Sequence, residues 1–149
     1  MNREEFWKLI SLVDIPALDS GDENAALVPL ERALASEDET NLESFEEHLS
    51  QCLYSLDGAV YAENAGESRG SDDAFLYARC YVVAKGQAHY EAVLGKPELM
   101  PKTLEHWCEA LLYCHHNAWA NLKEGAASDW TFDASVSYES GSNEELWPR

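Results

Sequence analysis

Basic side chains are what this chain has least of: 10 Lys and Arg stand against 28 Asp and Glu, a formal net charge of −18 over 149 residues. Binding to a nucleic-acid backbone rests on Lys and Arg displacing counterions, so this balance argues against DNA and RNA as partners. It argues equally against an anionic membrane surface. Long apolar runs are missing too. No stretch approaches the roughly 20 residues that cross a bilayer, and Met1-Asn2-Arg3-Glu4-Glu5-Phe6-Trp7 lacks the basic-then-apolar pattern of a secretory leader. These absences predict a cytoplasmic protein that binds neither nucleic acid nor membrane.

Sequence motifs of catalysis are absent as well. There is no glycine-rich phosphate loop, no G-x-S-x-G elbow and no H-E-x-x-H. Cys52, Cys80, Cys108 and Cys114 lie far apart, without C-x-x-C spacing. In a reducing compartment they read as small core residues rather than as disulfide partners. No cofactor and no metal is implied by spacing alone.

What the chain does have is apolar content. At 46% hydrophobic it can bury a core, which predicts one domain over residues 1–149. The acids are uneven: residues 1–50 hold 13 against 3 bases, so this third is the expected anionic surface.

Periodicity predicts an all-α fold, an irregular bundle of about five to seven helices. Phe6, Leu9, Ile10 and Val13 form one helical stripe that Asp14-Ile15-Pro16 ends. Residues 16–24 read as loop, and a short helix follows over about 25–35 with Pro29 near its first turn. Ser36 and Glu39 have capping-box spacing before a helix carrying Leu42, Phe45, Leu49, Cys52, Leu53 and Leu56 on one face. Its opposite face, with Glu43, Glu46 and Glu47, reads as acidic and solvated. Ser71 caps a helix over 72–85 that is apolar on almost every side, which predicts a central position. A shorter helix covers 87–94. A last long helix is expected from about Lys102 to Lys123, carrying Leu104, Trp107, Cys108, Leu111, Leu112, His115, Trp119 and Leu122 on one stripe. Residues 126–149 read as a non-helical tail packed on the helices, extended or hairpin-like, because Trp130, Phe132, Val136 and Tyr138 alternate with polar residues.

Several of these segments carry landmarks of a known family. The Phe6-Trp7-Lys8-Leu9-Ile10 start, Phe45-Glu46-x-x-Leu49, Tyr54 to Tyr61, and Ser71-Asp72-Asp73-x-Phe75 followed by Gly86 and Tyr90 to Pro97 occur in order. The chain thereby resembles the bacterial domain-of-unknown-function family numbered 4240. It departs from the family pattern at Ala74, at Arg79-Cys80-Tyr81-Val82-Val83, and in lacking tryptophans near 56–58. The resemblance implies a helical domain and supplies no activity and no catalytic residues.

Three readings of function follow. The first is a binding module for a basic protein, in the manner of an immunity protein that inhibits a nuclease toxin. Glu37, Asp38, Glu39, Glu43, Glu46 and Glu47 would dock onto Lys and Arg. The second is an enzyme or small-ligand binder around Asp72, Asp73 and Arg79, since paired carboxylates serve acid–base or metal chemistry and a guanidinium in an apolar helix needs a partner. The third is a subunit that dimerises through Trp130, Phe132, Tyr138 and Trp147, so the chain is a monomer or a homodimer. His106, His115 and His116 read as core or surface residues, because neighbouring positions on one helix do not complete a zinc set.

Overall fold

The protein is described here by a computed structural model covering residues 1–148. The fold is all-α: eight α-helices and five short 3-10 turns, with no strand among the described residues. None of the helices is long and apolar enough to cross a membrane.

Each helix starts where the local chemistry supplies a cap. Helix α1 (Arg3–Ile10) opens on a capping box of Asn2 and Glu5. Asp14 accepts from the Ala17 amide and starts α2 (Ile15–Asp19), with Pro16 in its first turn. Residues 16–24 are therefore partly helical rather than a plain loop: a proline at that position costs no hydrogen bond. Asp22 caps α3 (Glu23–Leu34). The helix thus begins earlier than its apolar pattern implies, and Pro29 falls inside it. The cap of α4 (Glu39–Ser55) is Asp38, which accepts from the Asn41 amide at 2.8 Å. The Ser36–Glu39 pair does not form the cap, because Ser36 still belongs to the turn that closes α3.

Helices α4 and α6 (Asp72–Ala84) build the interior. Leu42, Phe45, Leu49, Cys52, Leu53 and Leu56 are wholly buried. Ser71 accepts from the Ala74 amide to open α6, and ten of the thirteen α6 residues are buried. Helix α4 packs against α6 and against α8 (Cys114–Lys123), and α3 covers α8 from the other side. Helix α1 rests on α3 and α4, with the Phe6 ring 5.1 Å from that of Phe45. The short α7 (Gln87–Gly95) packs on α6, and α5 (Ala59–Glu63) on the turns at 66–70 and 97–99. The four cysteines are free and buried.

The segment expected as one helix over 102–123 is broken. Residues 101–108 are irregular, a 3-10 turn covers Glu109–Leu112, and only the last part is α8. Tertiary partners take the backbone and side-chain donors and acceptors that a helix would need here. The Lys102 carbonyl accepts from the Glu67 amide at 2.9 Å and the Cys108 amide donates to the Tyr77 carbonyl at 3.2 Å. The Ala110 amide donates to Glu23 Oε1, and Trp107 Nε1 donates to Ser68 Oγ. Leu104, in the irregular part, is about half exposed, and so is Leu122 on α8, although both fall on the expected apolar stripe.

The tail forms no hairpin. Residues 130–140 form no strand and bend at 135–136 and again at 139–140, and alternate residues are half-buried and exposed. Trp130, Tyr138 and Trp147 pack on the helical body.

Gly66 seals the seam between the 64–70 loop and residue 102. Its φ is +56°, and a Cβ there would stand 2.7 Å from Lys102 Cα. Gly66→Ala is expected to destabilise by about 1–3 kcal/mol, through strain and overpacking. Gly70→Ala, with open space around its Cβ position, should change stability by less than about 0.5 kcal/mol. Urea unfolding of both variants checks the contrast, and equal midpoints would contradict it.

Candidate functional site

The fold brings together a carboxylate and two imidazoles that sequence spacing keeps apart. Glu46 sits midway along α4 and is 7% exposed. Helix α8 starts at Cys114, so His115 and His116 occupy its first turn and reach the same oxygen, Glu46 Oε1. His116 Nε2 lies 3.2 Å from it, and His115 Nε2 is closer still. The two rings are 4.3 Å apart. A carboxylate beside the first turn of a helix also sits at the positive end of its dipole.

Electrostatics make Glu46 an ionised buried acid. Burial pushes its pKa up, but the hydrogen bonds from His115 and His116 outweigh burial and hold it at about 2. His115 goes the other way from its partner's charge: burial pulls it below the ordinary histidine value against the attraction of Glu46. A neutral His115 donating Nε2–H to Glu46 satisfies both directions. It leaves Nδ1 as an acceptor, and that atom is buried without a partner.

The tail from Trp130 onward, residues 130–148, forms an arm that lies over this cluster. Trp130 stacks on His116 with ring centroids 4.7 Å apart and meets His115 edge-on at 5.4 Å. Residues 132–139, with Glu46 and Ser50, enclose an open groove of about 390 Å³. The Ser135 amide donates to Glu47 at 2.7 Å and holds the arm against α4.

A second polar centre locks the end of the arm. Asp57 is wholly buried. It accepts from the amides of Gly141 and Asn143 at 3.0 Å and from Trp147 Nε1 at 2.9 Å. Arg79, also wholly buried, donates to the Leu53 carbonyl at 3.0 Å and to Ser140 Oγ at 2.9 Å. Its guanidinium lies 4.6 Å over the Phe75 ring. Burial lowers its pKa, and the first charge opposing that is Asp57.

These placements correct two expectations. Asp72 and Asp73 are exposed in the first turn of α6 while Arg79 is sealed inside. The three side chains therefore do not converge on one cavity, and the carboxylate whose charge acts most strongly on Arg79 is Asp57. Glu46 is not part of a solvated acidic face: it lies next to Phe45 and Leu49 on the α8 side of α4, where the histidines take up its charge. The other acids of that cluster are on or near the surface and mostly engaged. Glu39 accepts from Trp119 and Lys123, Glu47 from Ser135 and Gln51, and Glu37 from Asn41. Asp38 caps α4, and Glu43 is half-buried. The Glu46–His115–His116 cluster had one faint signal in sequence, a His-His pair following an apolar turn. Nothing in the spacing tied that pair to residue 46.

A groove of about 350 Å³ opens on the amino-terminal face, lined by Met1, Glu5, Lys8, Leu9, Leu12 and Glu37. Leu12 is 43% exposed there.

The family model described as "Protein of unknown function (DUF4240)" matches residues 1–121. The matched span holds Glu46, Asp57, Arg79, His115 and His116, while Trp130 and the rest of the arm follow it. No curated protein and no solved structure matches the chain.

Asp57→Ala would strand three donors and free the end of the arm. The expected result is a loss on the order of 3 kcal/mol in urea unfolding, together with faster proteolytic cleavage between residues 126 and 148 than in the native protein. Unchanged cleavage would show that the arm is held by something else.

Proposed function

The chain belongs to the DUF4240 family, and on that footing we propose that it is an acidic module that binds a basic protein. The observation that carries the reading is the amino-terminal groove. Its lining combines apolar Met1, Leu9 and Leu12 with two acids, Glu5 and Glu37, and one cation, Lys8, next to the exposed Asp38. An apolar lining with acids in excess suits a segment that presents an apolar anchor flanked by Lys or Arg.

The charge balance supports it. Among the described residues, Lys side chains pair with Asp19 and Glu39 in residues 1–50, while Glu4, Glu5, Asp14, Asp22 and Asp38 there are exposed. Such a field steers an oppositely charged protein and raises its association rate. The binding surface is then Glu5, Glu37, Asp38 and Glu43, with Glu39 and Glu47 partly spent on the chain's own contacts and Glu46 not included. The narrower form of the reading is an inhibitor of immunity type against a basic nuclease toxin, acting in the cytoplasm as a monomer or homodimer.

The other two readings have less behind them. A ligand site at Asp72, Asp73 and Arg79 needs an accessible guanidinium. Dimerisation through the arm needs free aromatic rings, and Trp130 and Trp147 lie against His116 and Phe75 of their own chain.

The test is salt dependence. A partner captured at low ionic strength should associate about tenfold or more slowly when salt is raised from 50 to 500 mM. The triple variant Glu5→Lys, Glu37→Lys, Asp38→Lys should lose most of the low-salt rate. A rate that is flat in salt and indifferent to these substitutions overturns the proposal.

A further inference from the structure

We infer that Glu46, His115 and His116 form a binding site for a divalent transition-metal ion of the zinc class, with the groove under the arm as its open side. A carboxylate and two imidazoles are a ligand set that Zn²⁺ takes, at about 2.0–2.2 Å in a tetrahedral array. Such an array sets neighbouring ligand atoms on the order of 3.4 Å apart. The three ligand atoms lie within 4.8 Å of one another, and His116 Nε2 stands 3.2 Å from Glu46 Oε1. The chemistry selects among ions: two imidazoles serve Ca²⁺ and Mg²⁺ poorly, since both take oxygen ligands.

The scaffold is rigid where a metal site requires it. Glu46 stands in the middle of α4 and both histidines in the first turn of α8, and these two helices pack directly on each other. The Trp130 ring fixes the plane of His116 from above. To bind an ion, His115 Nε2 gives up the proton it shares with Glu46, and Nδ1, buried without a partner, carries it instead.

An independent observation points to a ligand in the same place. Ser50, one turn after Glu46 on α4, is 1% exposed, and its hydroxyl has no hydrogen-bond partner. It lines the same groove as Glu46. Buried hydroxyls almost always find a partner, and a water carried by the ion in the open position would supply one. Of the three ligands Glu46 is the one that lines the groove, so an open position would lie on its side of the ion; three protein ligands with one open position is the pattern of a reactive zinc site rather than of a closed structural one. This site is separate from the amino-terminal groove and does not depend on a protein partner.

The experiment uses untagged full-length protein stripped with a chelator. It is titrated with Zn²⁺ by calorimetry and with Co²⁺ in the visible, where ligand-field bands report a site with imidazole ligands. One equivalent of each ion is expected. His116→Ala, at a half-buried position, and Glu46→Gln, which keeps the side-chain shape, should each weaken binding at least about tenfold, no less than the loss of an outer-shell partner does. Thermal melting of both variants checks that they fold, and either one alone is sufficient for the comparison. Absence of stoichiometric binding by the native protein overturns the inference. So does binding that is equal in native protein and variants, which would place the ion on surface carboxylates.

Discussion

A guanidinium buried in an apolar helix must be met by oxygen atoms, and the architecture of this protein is arranged around that need. Arg79 is the largest fully buried side chain in the fold. An unpaired charge at such depth costs several kcal/mol. The helix that carries it provides no carbonyl of its own, because those are spent on the helical ladder. The C-terminal part of α4 provides the Leu53 carbonyl, and the arm provides Ser140, whose hydroxyl in turn donates to the Asp72 carbonyl. Asp57 contributes the opposing charge while binding the arm's backbone. One cation thus ties α4, α6 and the arm together through its two terminal nitrogens, while its Nε stays buried without a partner.

The break before α8 has a comparable consequence at the other end of the groove. Were residues 102–123 one continuous helix, their backbone amides would be used within it. Instead the 101–108 segment is stitched to the 64–70 loop and to α6, and the 3-10 turn after it to α3. That stitching delays the start of α8 until Cys114. The two histidines then stand in a first turn aimed at α4, with Glu46 opposite. The irregular segment therefore positions the most polar cluster of the interior, although it contributes no side chain to it.

Much of the helical layout was legible from residue pattern. Ser71 capping α6, the buried stripe of α4 and the period-two burial of the arm all follow from local chemistry and spacing. The landmarks from Phe6 to Pro97 pointed to the family whose match now spans residues 1–121. What local reasoning missed is what tertiary contacts decide. Trp107 and Cys108 satisfy helical periodicity, yet Ser68 and Tyr77 draw them out of a helix. Glu46 has the sequence neighbourhood of a solvated acid, and only the arrival of α8 makes it an interior one. The charge effect of Asp57 on Arg79 was equally invisible, because 22 positions separate them and nearer carboxylates at 72 and 73 compete in any one-dimensional reading.

The cysteines show how thoroughly this interior is closed. None forms a disulfide, and burial raises their pKa values, to about 11 at Cys52 and about 12 at Cys108. Electrophiles and oxidants attack thiolates, so the folded chain presents them with almost nothing. Each sulfur becomes chemically available only when the helices around it part. With one in α4, one in α6 and two flanking the start of α8, the molecule carries built-in alkylation reporters whose labelling rates would time the separate opening of each region.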